Sequence, residues 1–392
     1  GDQAFLFIDP AKVDDRMKAV FTEQGISPQP YDGIEAHLAQ LAAGRLVTDT
    51  NRTGSALIAA LPGHVQVLSK SQYRYLMKAE LNSVERICQF QAGIRDSVAV
   101  TRYLYFVQTQ AVRDGLSELE VAEKLAALRR ESDSFIIESF PTISAYGANA
   151  AMMHYQATPE AYSLLEAKSF YLVDCGAQSF DGTTDITRTV SLGPLSQEER
   201  HDYTMTLKSH IALASQPFLK GSSGVALDAI ARSVMWRYGL DYKCGTGHGF
   251  GYVLGVHEGP QRLSHNPAAG HYGFRENIII TIEPGVYRQS KHGIRLENDY
   301  LVLGPHEAVT IEDGRASLAE SEVTLNEAGD VFLHFQTLTF VPFDLKAIER
   351  SMLTEEEISW LNDYHRQVRQ AVLPYLKDDG ERAYVLEATE AI

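Results

Sequence analysis

Residues 171–190 read YLVDCGAQSFDGTTDITRTV, with two acids, Asp174 and Asp185, on runs of strand character. YLVD precedes and DITRTV follows a turn-rich stretch that holds Gly176, Asp181 and Gly182. Residues 278–302, IIITIEPGVYRQSKHGIRLENDYLV, repeat the arrangement. Glu283 ends a β-branched run, the chain turns through Pro284, Gly285, His292 and Gly293, and Glu297 sits in the return. Side chains alternate faces along a strand, so Asp185, Thr187 and Thr189 share one face and Ile186, Arg188 and Val190 the other. By the same rule Arg295 and Glu297 point together. Carboxylates are rarely buried unless paired or metal-bound, and four in one place need protons or cations. Two divalent ions about 3.5–4 Å apart, bridged by carboxylates, are a hydrolytic arrangement. Oxygen-rich ligation favours Mn²⁺, and an imidazole or two widens the choice to Co²⁺ or Zn²⁺.

Candidate imidazoles lie in CGTGHGFGYVLGVHEGP, residues 244–260. His248 stands among Gly245, Gly247, Gly249 and Gly251, and His257 follows. Glycines admit close backbone approach or a positive φ. His154 ends another turn-rich segment, SFPTISAYGANAAMMHY, residues 139–155. Each of these residues alone has a plain structural reading as a turn acid, a cap or a satisfied core histidine. Arg188 and Arg295 read equally as strand-surface residues, although Arg295 shares a face with Glu297 and could support a ligand there. As a set the acids and histidines point to metal. Other chemistries find no motif. The glycine run lacks phosphate-loop spacing, position 261 is Gln where a zincin needs His, and there is no G-x-S-x-G elbow.

The elements that must position these groups are legible in outline. Residues 1–80 read as a small α/β unit with strands at 4–9 and 64–69 and a helix at 33–44. Longer helices begin near Asn82. Capping boxes at Ser117/Glu120, Ser196/Glu199 and Thr354/Glu357 open three of them, and a fourth spans about 223–238 with Gly239 as its cap. Strands are expected at 170–174, 185–191, 277–283 and 294–303.

The chain has 392 residues, 44% hydrophobic and 22% charged, enough for more than one domain with a large core. Its net charge of −16 argues against nucleic acid. No run is long and apolar enough for a membrane span, and no secretory signal opens the chain, which starts at Gly1. Cys88, Cys175 and Cys244 make no disulfide framework, so a reducing, cytoplasmic setting is expected.

The segments VDCGAQSFDGTTDITRT, GTGHGFGYVLGVHEGP, IEPGVY and GIRLEN, with PTISAYGANAAMMHY upstream, resemble the M24-type "pita-bread" metallopeptidases. The resemblance is strongest to the X-prolyl aminopeptidases of the longer, three-domain kind and extends to LFID, LTFVPFDL and WLNDYH. It implies an α/β (α+β) chain: a small α/β domain over residues 1–82, then a catalytic domain over 83–392 with a C-terminal helical extension. The catalytic domain would be a curved antiparallel sheet with outer helices, built as two related halves. The resemblance assigns metal to Asp174, Asp185, His248, Glu283 and Glu297, with Asp185 and Glu297 bridging two ions, most commonly Mn²⁺. It assigns catalytic roles to His154, His257, Glu283 and Arg295. The implied activity is hydrolysis of the N-terminal Xaa-Pro bond by metal-activated hydroxide, in a homodimer acting on peptides with proline second. The alternatives are an Xaa-Pro dipeptidase, another aminopeptidase of the family, and a non-catalytic binding member of the fold. Two departures stand out. Cys244 stands where the family is expected to have a histidine lining the substrate pocket, and the sequence opens just ahead of LFID, where the longer members are expected to carry a further domain. Trp360, Leu361 and Tyr364 are candidates for either an interface or the core.

Overall fold

The computed structural model describes residues 3–70, 72–320 and 329–392. The chain packs as two units, Gly1–Met77 and Lys78–Ile392. In the first, strands Ala4–Ile8 and Ile26–Pro30 pair in parallel, as do Gly44–Thr48 and Val65–Ser69. Parallel partners need a crossover, and the helices Asp15–Glu23 and Ser55–Ala59 lie within those two connections. Two of the strands escape a sequence reading. Ile26–Pro30 contains Pro28 and Pro30, which argue against a strand but are tolerated where only one neighbour is paired. The helix expected over 33–44 covers only Ile34–Leu38, because Gly44–Thr48 is drawn into the second parallel pair.

The second unit is organised by capped helices around antiparallel sheets. All three expected capping boxes form, opening helices Glu118–Arg129, Gln197–Ala214 and Glu355–Val372. Each such N-cap stabilises its helix by about 1 kcal/mol. A fourth box, Asn82 with Glu85, opens the long helix Ser83–Phe106. It was hidden because its cap is Asn where the box was sought as Ser or Thr. Helix Gly224–Trp236 is capped by Ser223, and Gly239 follows it with φ +68°.

Strands β1 (Ile143–Tyr146), β2 (Phe170–Cys175) and β3 (Ile186–Ser191) form one antiparallel sheet, with β2 central. Short strands β4 (Gly247–His248) and β5 (Arg262–Leu263) pair with each other. Strand β6 (Ile279–Ile282) pairs with β9 (Asn298–Leu303), and between them β7 (Gly285–Arg288) and β8 (His292–Arg295) make a separate ribbon. The 294–303 strand expected from sequence is therefore broken at Leu296 and Glu297, where the chain leaves the ribbon for the sheet. The β2–β3 connection is built likewise, with the small Ala177–Ser179 and Gly182–Thr183 hairpin inserted.

The sheets meet where Glu297 N–H donates to the Thr187 carbonyl at 3.1 Å. Beneath this seam Arg188 is fully buried, contrary to a strand-surface reading. Its guanidinium donates to the carbonyls of Thr187, Glu297, Val341 and Pro342, to Asn298 Oδ1 and to Tyr364 Oη, all within 3.2 Å. A buried cation survives only when its donors are satisfied in this way. Leu361 and Tyr364 thereby belong to the core, with Trp360 packed on it.

Candidate metal centre

Four carboxylates, three imidazoles and two guanidinium groups line a cavity of about 590 Å³. Asp174 lies on β2 opposite Thr187 of β3, and Asp185 sits one residue before β3. Glu283 and Glu297 flank the β6–β9 pair, one residue beyond Ile282 and one before Asn298. Two hairpins thus supply two acids each.

His248 reaches them because of a glycine. A Cβ on Gly247 would stand 1.8 Å from the Thr281 carbonyl oxygen, so only glycine lets β4 lie so close to β6. Glu283 N–H donates to the Thr246 carbonyl, and His248 N–H to Thr281 Oγ1. None of the four glycines around His248 has positive φ; close approach is what the run provides. Gly293 serves the same end, since its Cβ would meet the Ala150 carbonyl at 1.7 Å, and this holds the segment leading to His154 against β8.

His248 Nε2 lies 3.4 Å from Asp185 Oδ2 and 3.6 Å from Glu283 Oε1. Ligand atoms of Asp185, His248 and Glu297 all lie within 4.8 Å of one another. Asp174 Oδ2 accepts from Arg295 Nη2 at 2.6 Å, while its buried Oδ1 has no hydrogen-bond partner. Thr187 Oγ1 donates to Glu297 Oε2 at 2.6 Å. Arg295 also donates to Tyr287 Oη and Thr187 Oγ1, which fixes its plane.

The electrostatics are those of a site that wants cations. Burial, then the charges of Asp174, Asp299 and Glu283, push the Asp185 carboxyl far above its ordinary value. Burial, then Asp185, Glu283 and Asp174, do the same to Glu297. Burial also raises Glu283, against the pull of His248 and Arg295. Burial opposes the charge on Arg295, but Tyr287, Asp174, Glu283 and Glu297 hold its pKa well up. An orphaned buried carboxylate oxygen among acids that cannot all ionise fits divalent metal.

All eight residues singled out for metal or catalysis, and Cys244, line this cavity. His154 and His257 are exposed on it, and the His257 ring meets His248 edge-on at 4.2 Å between centroids. Burial, then the neighbouring His248 and Arg262, lower His257 to about 4. Cys244 is part-buried, and burial followed by the Glu283 charge raises its thiol to about 11, so it is a neutral group at the wall. Sequence reading missed Asp299, whose Oδ2 accepts from the Asp185 N–H at 3.0 Å. Strand alternation from Arg295 and Glu297 would have found it. Tyr287 and Arg262 were missed as well, and neither carried a spacing signal.

Residues 90–303 match metallopeptidase family M24, residues 331–392 its C-terminal region, and residues 1–85 the creatinase/prolidase N-terminal domain. The chain is 35% identical to aminopeptidase P1 of Arabidopsis thaliana, covering 100% of this chain and 65% of that protein. It is also 35% identical to a probable Xaa-Pro aminopeptidase P of Sordaria macrospora, covering 96% of this chain and 61% of that protein. The crystal structure of an X-prolyl aminopeptidase from Caenorhabditis elegans, described as a cytosolic enzyme with a di-nuclear active site, superposes with a TM-score of 0.85 at 33% identity. That match covers 99% of this chain and 62% of the other. The chain spans less than two thirds of the length of each of these relatives. The fold is the mixed α/β, curled antiparallel architecture of the pita-bread type.

Proposed function

The chain belongs to the M24 family of metallopeptidases, and from that premise we propose that it is a metal-dependent X-prolyl aminopeptidase. The reading is carried by one observation: five potential ligands of the right chemistry, Asp174, Asp185, His248, Glu283 and Glu297, line one cavity with His154 and His257 beside them. The likeness to aminopeptidases P, which runs over 96–100% of this chain, supports the substrate class, peptides with proline second. We also propose residues 1–82 as a creatinase-like domain and 83–392 as the catalytic one, with a cytoplasmic location supported by three unpaired cysteines. Among the described residues no helix is long and apolar enough to cross a membrane. A homodimer rests on the family resemblance, and Leu361 and Tyr364, being in the core, drop out as its contact residues.

The five ligands would hold two divalent ions, and four carboxylates against one imidazole favour Mn²⁺. When bound, the pair supplies charge neutralisation, polarisation of the scissile carbonyl and activation of water. The protein's own groups do the rest. Glu283, with a raised pKa, takes a proton from the attacking water and returns it to the departing prolyl nitrogen. An Xaa-Pro amide has no N–H, so recognition falls on its carbonyl and on the ring. His257 is neutral at working pH and offers an N–H to the oxygen that gains charge, with His154 nearby. Arg295 holds Asp174 in place and offsets the surplus of negative charge.

The deciding experiment is mass-spectrometric product analysis of an Xaa-Pro-Pro tripeptide incubated with the protein and Mn²⁺. Release of the free first residue is expected. Cleavage of Xaa-Pro dipeptides alone would make it a dipeptidase, and no cleavage of either would refute the peptidase reading. Asp185→Asn and Glu297→Gln are each expected to lose metal and activity together.

A further inference from the structure

The cavity holds two arginines, and they differ in kind. Arg295 is buried and committed to Asp174, Tyr287 and Thr187. Arg262 is exposed, and among the described residues its side chain makes no hydrogen bond, ion pair or ring contact. It stands on β5 directly across from His248 on β4. Directly opposed residues of an antiparallel pair put their side chains on the same face about 4.5–5.5 Å apart at Cα, so Arg262 extends over the face from which His248 serves the centre. Among the described residues other exposed arginines, Arg16, Arg45 and Arg237 included, are also unpaired, and what sets Arg262 apart is its place on the wall of the acid-lined cavity. Ion-paired partners hold Arg86, Arg95, Arg102, Arg129, Arg232, Arg275 and Arg288 elsewhere.

Resting on the peptidase reading, we infer that Arg262 is a specificity-determining residue that binds a carboxylate of the substrate beyond the proline. The sources of that carboxylate are the peptide's C-terminus and an acidic side chain at the third position. The chemistry follows from placement. The reacting carbonyl must lie at the carboxylate and imidazole cluster, and each further residue adds about 3.8 Å toward the mouth. A carboxylate one or two residues past the scissile bond falls within the span of an arginine rooted opposite His248. The guanidinium fork matches a carboxylate in bidentate fashion. The enzyme would then prefer short peptides with free C-termini to long or amidated ones.

The test compares kcat/KM for Ala-Pro-Ala, Ala-Pro-Ala-amide and Ala-Pro-Asp-amide in the Mn²⁺-loaded wild type, Arg262→Gln and Arg262→Lys. The wild type is expected to favour the free acid over the amide by about tenfold or more, mainly through KM, the size of one charge-assisted pair. In Arg262→Gln the acid-to-amide ratio should collapse toward one, and Arg262→Lys should restore part of it. A gain for Ala-Pro-Asp-amide over Ala-Pro-Ala-amide would extend the site to acidic side chains; no such gain would assign it to the C-terminus. A wild-type ratio near one, or a ratio unchanged in Arg262→Gln, overturns the inference. Should wild type cleave none of them, the peptidase reading falls, and calorimetric binding of the same peptides decides on Arg262 alone. Acid-selective binding lost in Arg262→Gln sustains it, and unselective or absent binding overturns it.

Discussion

Arg295 Nη2 and Asp174 Oδ2 stand 2.6 Å apart, an ion pair with side chains only 4% and 12% exposed, set among three further acids. Breaking a buried pair leaves a charge uncompensated and costs about 3–5 kcal/mol. Arg295→Ala should therefore lower metal-free stability by roughly 3 kcal/mol. Arg295→Lys should recover only part, because an ammonium cannot reproduce the fork to Asp174, Tyr287 and Thr187. Urea denaturation of the apo proteins checks this, and a wild-type midpoint in Arg295→Ala would show that the pair does not stabilise the fold.

Removing metal should invert the pH dependence of stability. In the metal-free protein Asp185 and Glu297 titrate well above their ordinary values of 3.8 and 4.5. The native state then binds more protons than the unfolded chain between the ordinary and the raised values, so stability falls as pH rises through that window. Metal needs the same groups ionised, so its affinity rises with pH. The Tm difference between Mn²⁺-loaded and chelated protein should widen from about pH 5 toward pH 8, and scanning calorimetry at several pH values measures it. A gap that narrows would refute the assignment of these acids as ligands.

Gly247→Ala tests whether close approach, and not loop flexibility, makes the glycine run. The added methyl has nowhere to go against the Thr281 carbonyl, which is backbone and cannot rotate aside. Strand β4 must move, and His248 with it. A loss of about 1–3 kcal/mol is expected from the overpacking, together with weakened metal binding. A near-wild-type metal titration would mean that β4 tolerates the shift.

Much of this centre was legible because its chemistry is local in sequence. The acids sit at or near the ends of hairpin strands, and strand alternation groups Asp185 with Thr187 and Arg295 with Glu297; in the structure Thr187 bonds both Arg295 and Glu297, and Asp185 lies beside Glu297. Arg188 was not legible. It occupies an apolar face, and its donors are satisfied by groups that converge from far along the chain, Glu297, Asn298, Val341, Pro342 and Tyr364. The same holds for the parallel pairs of the first unit, whose partners are set by crossovers and not by local pattern. Arg188→Met is expected to lose more than about 3 kcal/mol despite its matched length, since it strands several buried carbonyls at once; chemical denaturation reads this directly.

The last prediction separates binding of metal from catalysis. His257 touches His248 edge-on but is exposed at the mouth, so its removal leaves all five proposed ligands in place. His257→Ala should retain two metals per chain by elemental analysis and lose at least about tenfold in kcat, at the low end for a single oxyanion donor. Because burial, His248 and Arg262 hold its pKa at about 4, His257 is neutral throughout pH 6–8. It gains charge only as pH falls toward 4, so any acid limb of the wild-type profile above pH 5 belongs to another group. That limb should keep its position in His257→Ala while the plateau drops. A limb that disappears with the histidine would mean that His257 titrates near neutrality and acts as an acid or base and not as a neutral donor.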